Sequence, residues 1–250
     1  MEETKLYNTK LIITGNSTEL YKYSKVITSG SRVTNDKGRS NTGGNRDRKN
    51  TLHKAKTKIL RIVNSNTWTM MLTLTYADDV TIEESKKDVC KFVKQLRKIY
   101  STEFKYLYVL ELTKRGRPHF HMLVDIAADF TDIQSYERYL ADIWSHGFVD
   151  VQMITNSKGA GHYISKYFTK DPVDTSCKLY GYSRNCNKPI EVKCLDTRDS
   201  IEILKELDKN VVYSNSYSIE ATKNHVSYYV LEDTENIEDS KYYVNVSHET

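Results

Sequence analysis

Glu111, His119 and His121 fall within the single stretch Glu-Leu-Thr-Lys-Arg-Gly-Arg-Pro-His-Phe-His. A carboxylate and two imidazoles form a donor set for a divalent ion such as manganese, zinc or iron. Open coordination positions on such an ion would polarise a phosphate oxygen. Further along, Tyr163-Ile-Ser-Lys-Tyr167 supplies two phenols one helical turn apart. A phenol ionises only near pH 10, so it is a poor nucleophile unless its ionisation is assisted. A metal site together with a phenol nucleophile points to phosphoryl transfer on DNA.

Neither motif carries that reading alone. A bare His-x-His is more often two half-exposed strand histidines, and it is Glu111 and the Gly116-Arg-Pro turn that reverse the balance. Two tyrosines on a helix border are an ordinary feature in a chain with 19 tyrosines. What matters is whether local structure brings the groups together.

A strand over 118–125 would put His119 and His121 on one face and the apolar pair Phe120 and Met122 on the other. A preceding strand over 105–112 carries Glu111 on the same face as Val109 and Leu107. An antiparallel hairpin through Lys-Arg-Gly-Arg, pairing 111 with 119, would then set Glu111 beside His119. A helix from about 158 to 169, stopped before Pro172, would hold the tyrosines between an apolar stripe of Ile164 and Phe168 and a cationic stripe of Lys166 and Lys170. Those lysines could hold a DNA phosphate or stabilise a phenolate.

The remaining pattern supplies a scaffold. Strands are expected over 19–28, 67–76 and 148–154, with helices over 46–64, 82–100 and 133–144. Residues 29–50 read as a long loop rich in Ser, Gly, Asn and Arg. The order predicts an α+β fold, a central antiparallel sheet flanked by helices, as one domain over 1–172 that includes a basic loop and helix at 29–64. Residues 173–250 read as a smaller β-rich extension, with strands at 210–218, 225–231 and 241–246 and an acidic tail.

No apolar run in the 250 residues approaches the length needed to cross a bilayer, and Met1-Glu-Glu-Thr-Lys does not resemble a signal peptide. A cytoplasmic protein without a membrane partner is expected. Four cysteines without Cys-x-x-Cys spacing read as reduced thiols rather than a zinc site. Between Arg32 and Arg61 ten Lys/Arg face two Asp, an excess able to neutralise phosphates. Arg46, Arg48 and Lys49 are expected DNA contacts there, with Arg115, Arg117 and Lys170 elsewhere. No Gly-x-x-x-x-Gly-Lys-Ser/Thr loop is present, so no nucleotide cofactor is expected.

Three blocks, in order, resemble the HUH endonucleases, above all the rolling-circle replication initiators (Rep proteins) of microvirus-like single-stranded DNA phages and related plasmids. They are Met71-Leu-Thr-Leu-Thr-Tyr76; Glu111 with Gly116-Arg-Pro-His-Phe-His121; and Tyr163-Ile-Ser-Lys-Tyr-Phe-Thr-Lys170. Tyr180-Gly-Tyr-Ser-Arg184 is a fainter fourth. The resemblance implies a ferredoxin- or RRM-like sheet and magnesium or manganese held by Glu111, His119 and His121. It also implies Tyr163 and Tyr167 as nucleophiles forming a 5′-phosphotyrosine, with Lys166 positioning the phosphate and Tyr163 preferred for the first cut. Its implied partners are a single-stranded DNA origin, a host helicase and a host polymerase. A transposase or relaxase of the same kind, a non-catalytic nucleic-acid-binding protein and a metal hydrolase using water remain as alternatives.

Overall fold

The computed structural model describes residues 6–15, 17–29, 45–127, 132–154, 160, 161, 164, 166–168 and 179–233, with side chains of the first helix from 52 onward. Tyr163, Lys170, Cys177, the loop over 30–44, the side chains of Arg46, Arg48 and Lys49, the expected strand at 241–246 and most of the acidic tail lie outside the described residues.

Ten strands are described: β1 (Leu6–Thr14), β2 (Ser17–Thr28), β3 (Met70–Thr75), β4 (Tyr106–Leu112), β5 (Pro118–Val124), β6 (Val149–Met153), β7 (Tyr180–Tyr182), β8 (Ile190–Cys194), β9 (Asn210–Ile219) and β10 (Asn224–Glu232). Four helices of at least two turns accompany them: α1 (Asn45–Asn64), α2 (Ile82–Ile99), α3 (Ile133–Trp144) and α4 (Ser200–Leu207). The strands form two five-stranded antiparallel sheets, ordered β8-β1-β2-β10-β9 and β6-β3-β5-β4-β7. The expected α+β class, with a sheet flanked by helices, is the fold found.

The second sheet carries the motif residues, and its two faces are covered differently. Leu72, Leu74, Leu110, Phe120, Met122 and Val124 bury themselves against α2 and α3. α2 starts at a capping box, in which Thr81 accepts from the Glu84 N–H and Glu84 reaches back to the Thr81 backbone. It then presents Val89, Phe92, Val93 and Leu96 along one stripe. On the opposite face Met71, Leu107, Val109 and Leu123 pack with Ile59, Ile62 and Val63 of α1 and with Ala160 and Ile164. Phe120 and Met122 thus anchor β5 from behind, while His119 and His121 point to the other side.

The division of the chain differs from the expected boundary at 172/173. One compact unit is Gly44–Lys188; the other joins Met1–Gly43 to Pro189–Thr250. Strand partnership is the cause, because β1 pairs with β8 and β2 with β10. Such distant partners leave no local signature. Of the extension's expected strands, those at 210–218 and 225–231 correspond to β9 and β10, whereas β8 and α4 were not anticipated. Among the described residues no helix is long and apolar enough to cross a membrane.

Candidate active site on the sheet face

The β4–β5 hairpin sets the site. Glu111 pairs with His119, and Val109 with His121, as the hairpin reading required. Gly116 closes the turn with φ 81°, a left-handed conformation that glycine adopts without strain. Its N–H donates to the Thr113 carbonyl at 2.8 Å, and the Thr113 N–H donates to the Arg117 carbonyl at 2.9 Å.

The neighbouring strands extend this pair into a cross-strand row. β3 places Thr75 opposite His119. Leu74 pairs with Val149, and the Thr75 N–H donates to the Phe148 carbonyl at 2.9 Å. The row therefore reads Phe148, Thr75, His119, Glu111. The next row on the same face is Asp150, Thr73, His121, Val109, Tyr180.

Within these rows the polar groups are engaged with one another. His121 Nε2 lies 3.1 Å from Glu111 Oε2, and both side chains are buried. His119 Nε2 lies 2.9 Å from Thr75 Oγ1. The two imidazole rings are 4.9 Å apart. Tyr167 lies over His121 in a near-parallel stack, with ring centres 3.3 Å apart and planes inclined 16°. Burying a carboxylate beside an imidazole is favourable only when the two are hydrogen-bonded, and here they are.

Tyr167 does not sit on an α-helix continuing to 169, as the sequence pattern predicts. Residues 160, 161 and 164 are helical, and Lys166–Phe168 forms a 3-10 turn. Tightening to 3-10 geometry is common where a helix ends. In this turn Lys166 is exposed and Tyr167 is half-buried against the sheet.

The cations expected to meet DNA have different settings. Arg115 is exposed at the hairpin turn. Arg117 is spent locally: its Nε donates to Asp79 at 2.6 Å and a terminal nitrogen donates to the Ala77 carbonyl at 2.9 Å. It braces the loop between β3 and α2 against the hairpin.

By chemistry the donor set suits a divalent ion, and register puts Glu111, His119 and His121 on one face. Among the described residues, however, no three His, Cys, Asp or Glu side chains gather around a common point. Ligation would require His121 to exchange its bond to Glu111, and His119 its bond to Thr75, for the ion.

Thr75, Phe148 and Gly147 belong to the site's immediate frame and were not singled out from sequence. Thr75 could have been found from the alternation Thr73-Leu-Thr75, which puts it on the histidine face once β3 and β5 pair. Phe148 carries no such local signal. It follows the end of α3, where Ser145 adopts a left-handed φ of 57°, and it is 75% exposed. That exposure leaves an aromatic ring open to solvent two strands from His119.

Comparison with known proteins fits this frame. Residues 69–172, which span β3 through the tyrosine segment, match the family model of replication-associated proteins of the ORF2 type. A curated Escherichia coli protein, the "Phasyl DNA replicon protein arp", is 29% identical over 40% of this chain and 42% of its own length. The chain therefore spans less than half of that relative. No solved structure matches the chain. The two likenesses suggest a replication protein.

Proposed function

We propose that the protein nicks and rejoins single-stranded DNA at a replication origin by tyrosine attack, in the manner of an HUH replication initiator. The observation that carries this reading is the Tyr167–His121 stack, which fixes a phenol beside the Glu111, His119 and His121 cluster. In the reaction the phenol oxygen attacks the scissile phosphorus. A bond forms from Tyr167 Oη to phosphorus as the bond from phosphorus to the 3′ oxygen breaks. The phenol proton leaves to a base or to water, and the departing 3′ oxygen takes up a proton to become a hydroxyl. The phosphotyrosine conserves the phosphodiester's energy, so a 3′-hydroxyl attacking in reverse reseals the strand without ATP.

His121 holds the Tyr167 ring by stacking, and Glu111 holds His121 by its hydrogen bond. Lys166, exposed in the same turn, offers a cation to the scissile phosphate. Tyr163 is the second candidate nucleophile. A magnesium or manganese ion held by Glu111, His119 and His121 would draw charge from a phosphate oxygen and ease attack. Arg115 and the basic segment with Arg46, Arg48 and Lys49 would bind the DNA backbone. Phe148 would offer its exposed face to a substrate base. Host helicase and polymerase would supply unwinding and synthesis, and the host cytoplasm is the expected compartment.

The test mixes the protein and Mn²⁺ with labelled single-stranded origin DNA, followed by a denaturing gel. A covalent adduct that disappears on chelation, and in the Tyr163→Phe/Tyr167→Phe double variant, is the expected result. A second reading, a nucleic-acid-binding module, draws on the histidines' hydrogen bonds to Thr75 and Glu111. Tight binding without any adduct would favour it.

A further inference from the structure

β7 is an edge strand, and beside it two adjoining cavities of 460 and 330 Å³ share Tyr106 and Tyr182 in their linings. Together they make a groove along the outer margin of the sheet, next to α2. Its walls combine tyrosine rings with cations. Arg97 and Arg184 line the larger cavity with Glu103, and Lys86 lines the smaller with Tyr108.

Among the described residues neither Arg97, Arg184 nor Lys86 forms an ion pair. The Arg97 guanidinium lies over the rings of Phe104 and Tyr106, 6.0 and 5.7 Å from their centres. Its Nε is shut off from solvent without a hydrogen-bond acceptor. Stacking on two rings fixes the plane of a guanidinium and leaves its donors available for a planar or tetrahedral oxyanion.

The strand is shaped to admit these rings. A Cβ on Gly181 would come within 2.6 Å of the Tyr108 ring, so only glycine lets Tyr108 lie against β7. Tyr106 and Tyr108 stand parallel, with centres 6.4 Å apart and planes 2° apart. Burial pushes the Tyr108 phenol up to about 12 and raises Tyr106 as well, so neither adds negative charge near neutral pH. Three cations against the single carboxylate of Glu103, interleaved with aromatic rings, is the composition of a single-strand binding groove.

We propose that this groove is a second contact for single-stranded DNA, with Arg97 and Arg184 gripping a phosphate and the tyrosine edge receiving a base. It takes its ligand class from the nicking reading but uses none of the nicking residues. Bound there, DNA flanking the cut would stay tethered while the strand is open.

The test is fluorescence anisotropy of the full chain with a labelled oligothymidylate, without divalent metal, across a salt titration. Each phosphate contact to single-stranded DNA contributes about 0.7 to the slope of log affinity against log salt, or about fivefold in affinity near 0.1 M salt. Arg184→Gln, an exposed change, should lower the slope by about 0.7, and Arg97→Gln/Arg184→Gln by about 1.4. If the double variant fails to fold, Arg184→Gln decides. Unchanged slope and affinity in a folded Arg184→Gln variant would overturn the proposal, whatever the adduct gel shows. Weakened binding by these variants, in a protein that forms no adduct, would sustain the groove and defeat the nicking reading. A wild-type chain that does not bind the oligonucleotide defeats both.

Discussion

Gly147→Ala should cripple the site without touching a reactive group. Gly147 has φ 153°, and a Cβ there would lie 2.3 Å from the Thr75 carbonyl oxygen, 2.7 Å from the Ala77 nitrogen and 3.1 Å from the Tyr76 carbonyl carbon. All three atoms are backbone, so no flexible side chain can move aside. The backbone strain at that φ costs about 1–3 kcal/mol. The displaced Thr75 also holds two hydrogen bonds: its carbonyl accepts from Trp144 Nε1 at 3.1 Å, and its N–H donates to Phe148 at 2.9 Å. Weakening both adds about 1 kcal/mol each. The sum is about 3–5 kcal/mol, or about 6–20 °C in Tm for a chain of this size. Thr75 also hydrogen-bonds His119, so residual folded protein should give less DNA adduct. Thermal unfolding followed by circular dichroism reads the first effect, and the denaturing gel reads the second. A Tm within about 2 °C of wild type would refute the claim that this glycine is sterically required.

Phe148→Ala should leave Tm unchanged, because the ring is mostly exposed, yet weaken single-stranded DNA binding by about 1–3 kcal/mol; equal affinity by anisotropy would remove Phe148 from the DNA path. Glu111→Gln retains an acceptor for His121 but deletes the charge, so adduct formation should fall far more than stability; a normal adduct yield across a manganese titration would exclude Glu111 as a ligand. Acid should loosen the unit built on β1, β2 and the chain after Pro189. Hydrogen bonds from Arg198 hold the Asp196 carboxyl down from 3.8 to about 2. A depressed carboxyl stabilises the fold above its unfolded value and loses that contribution as pH falls from about 4 to about 2. Asp196→Asn should therefore flatten the stability profile in that window, and identical acid profiles would contradict the assignment.

The reactive hairpin was legible because its information is local. Alternation in Pro118-His-Phe-His-Met assigns the faces, and the Gly116 turn sets the register that brings Glu111 to His119. The helices were legible for the same reason, through the apolar spacing of Val89, Phe92, Val93 and Leu96. What stayed hidden depends on distant partners. β1 is defined by β8 some 180 residues away, so the N-terminal hairpin could not be assigned to its unit. Phe148 enters the active row only through its pairing with Thr75. Tyr167 reads as helical from its spacing, whereas docking onto His121 occurs on a 3-10 turn. α4 is a different case: Asp199-Ser-Ile-Glu202 is a capping-box pattern, realised in the structure, and the β-rich surroundings outweigh it in the sequence.

Trypsin offers the most direct test, because cleavage after Lys166 separates Tyr163 and Tyr167 onto different peptides. Mass spectrometry of the protein after reaction with single-stranded origin DNA, followed by nuclease trimming and tryptic digestion, would locate any linkage. The account predicts a nucleotide phosphate attached to Tyr163 or to Tyr167, within 159–166 or 167–170. DNA cut with a free 5′-phosphate and both peptides unmodified would contradict it, and would assign the attack to water.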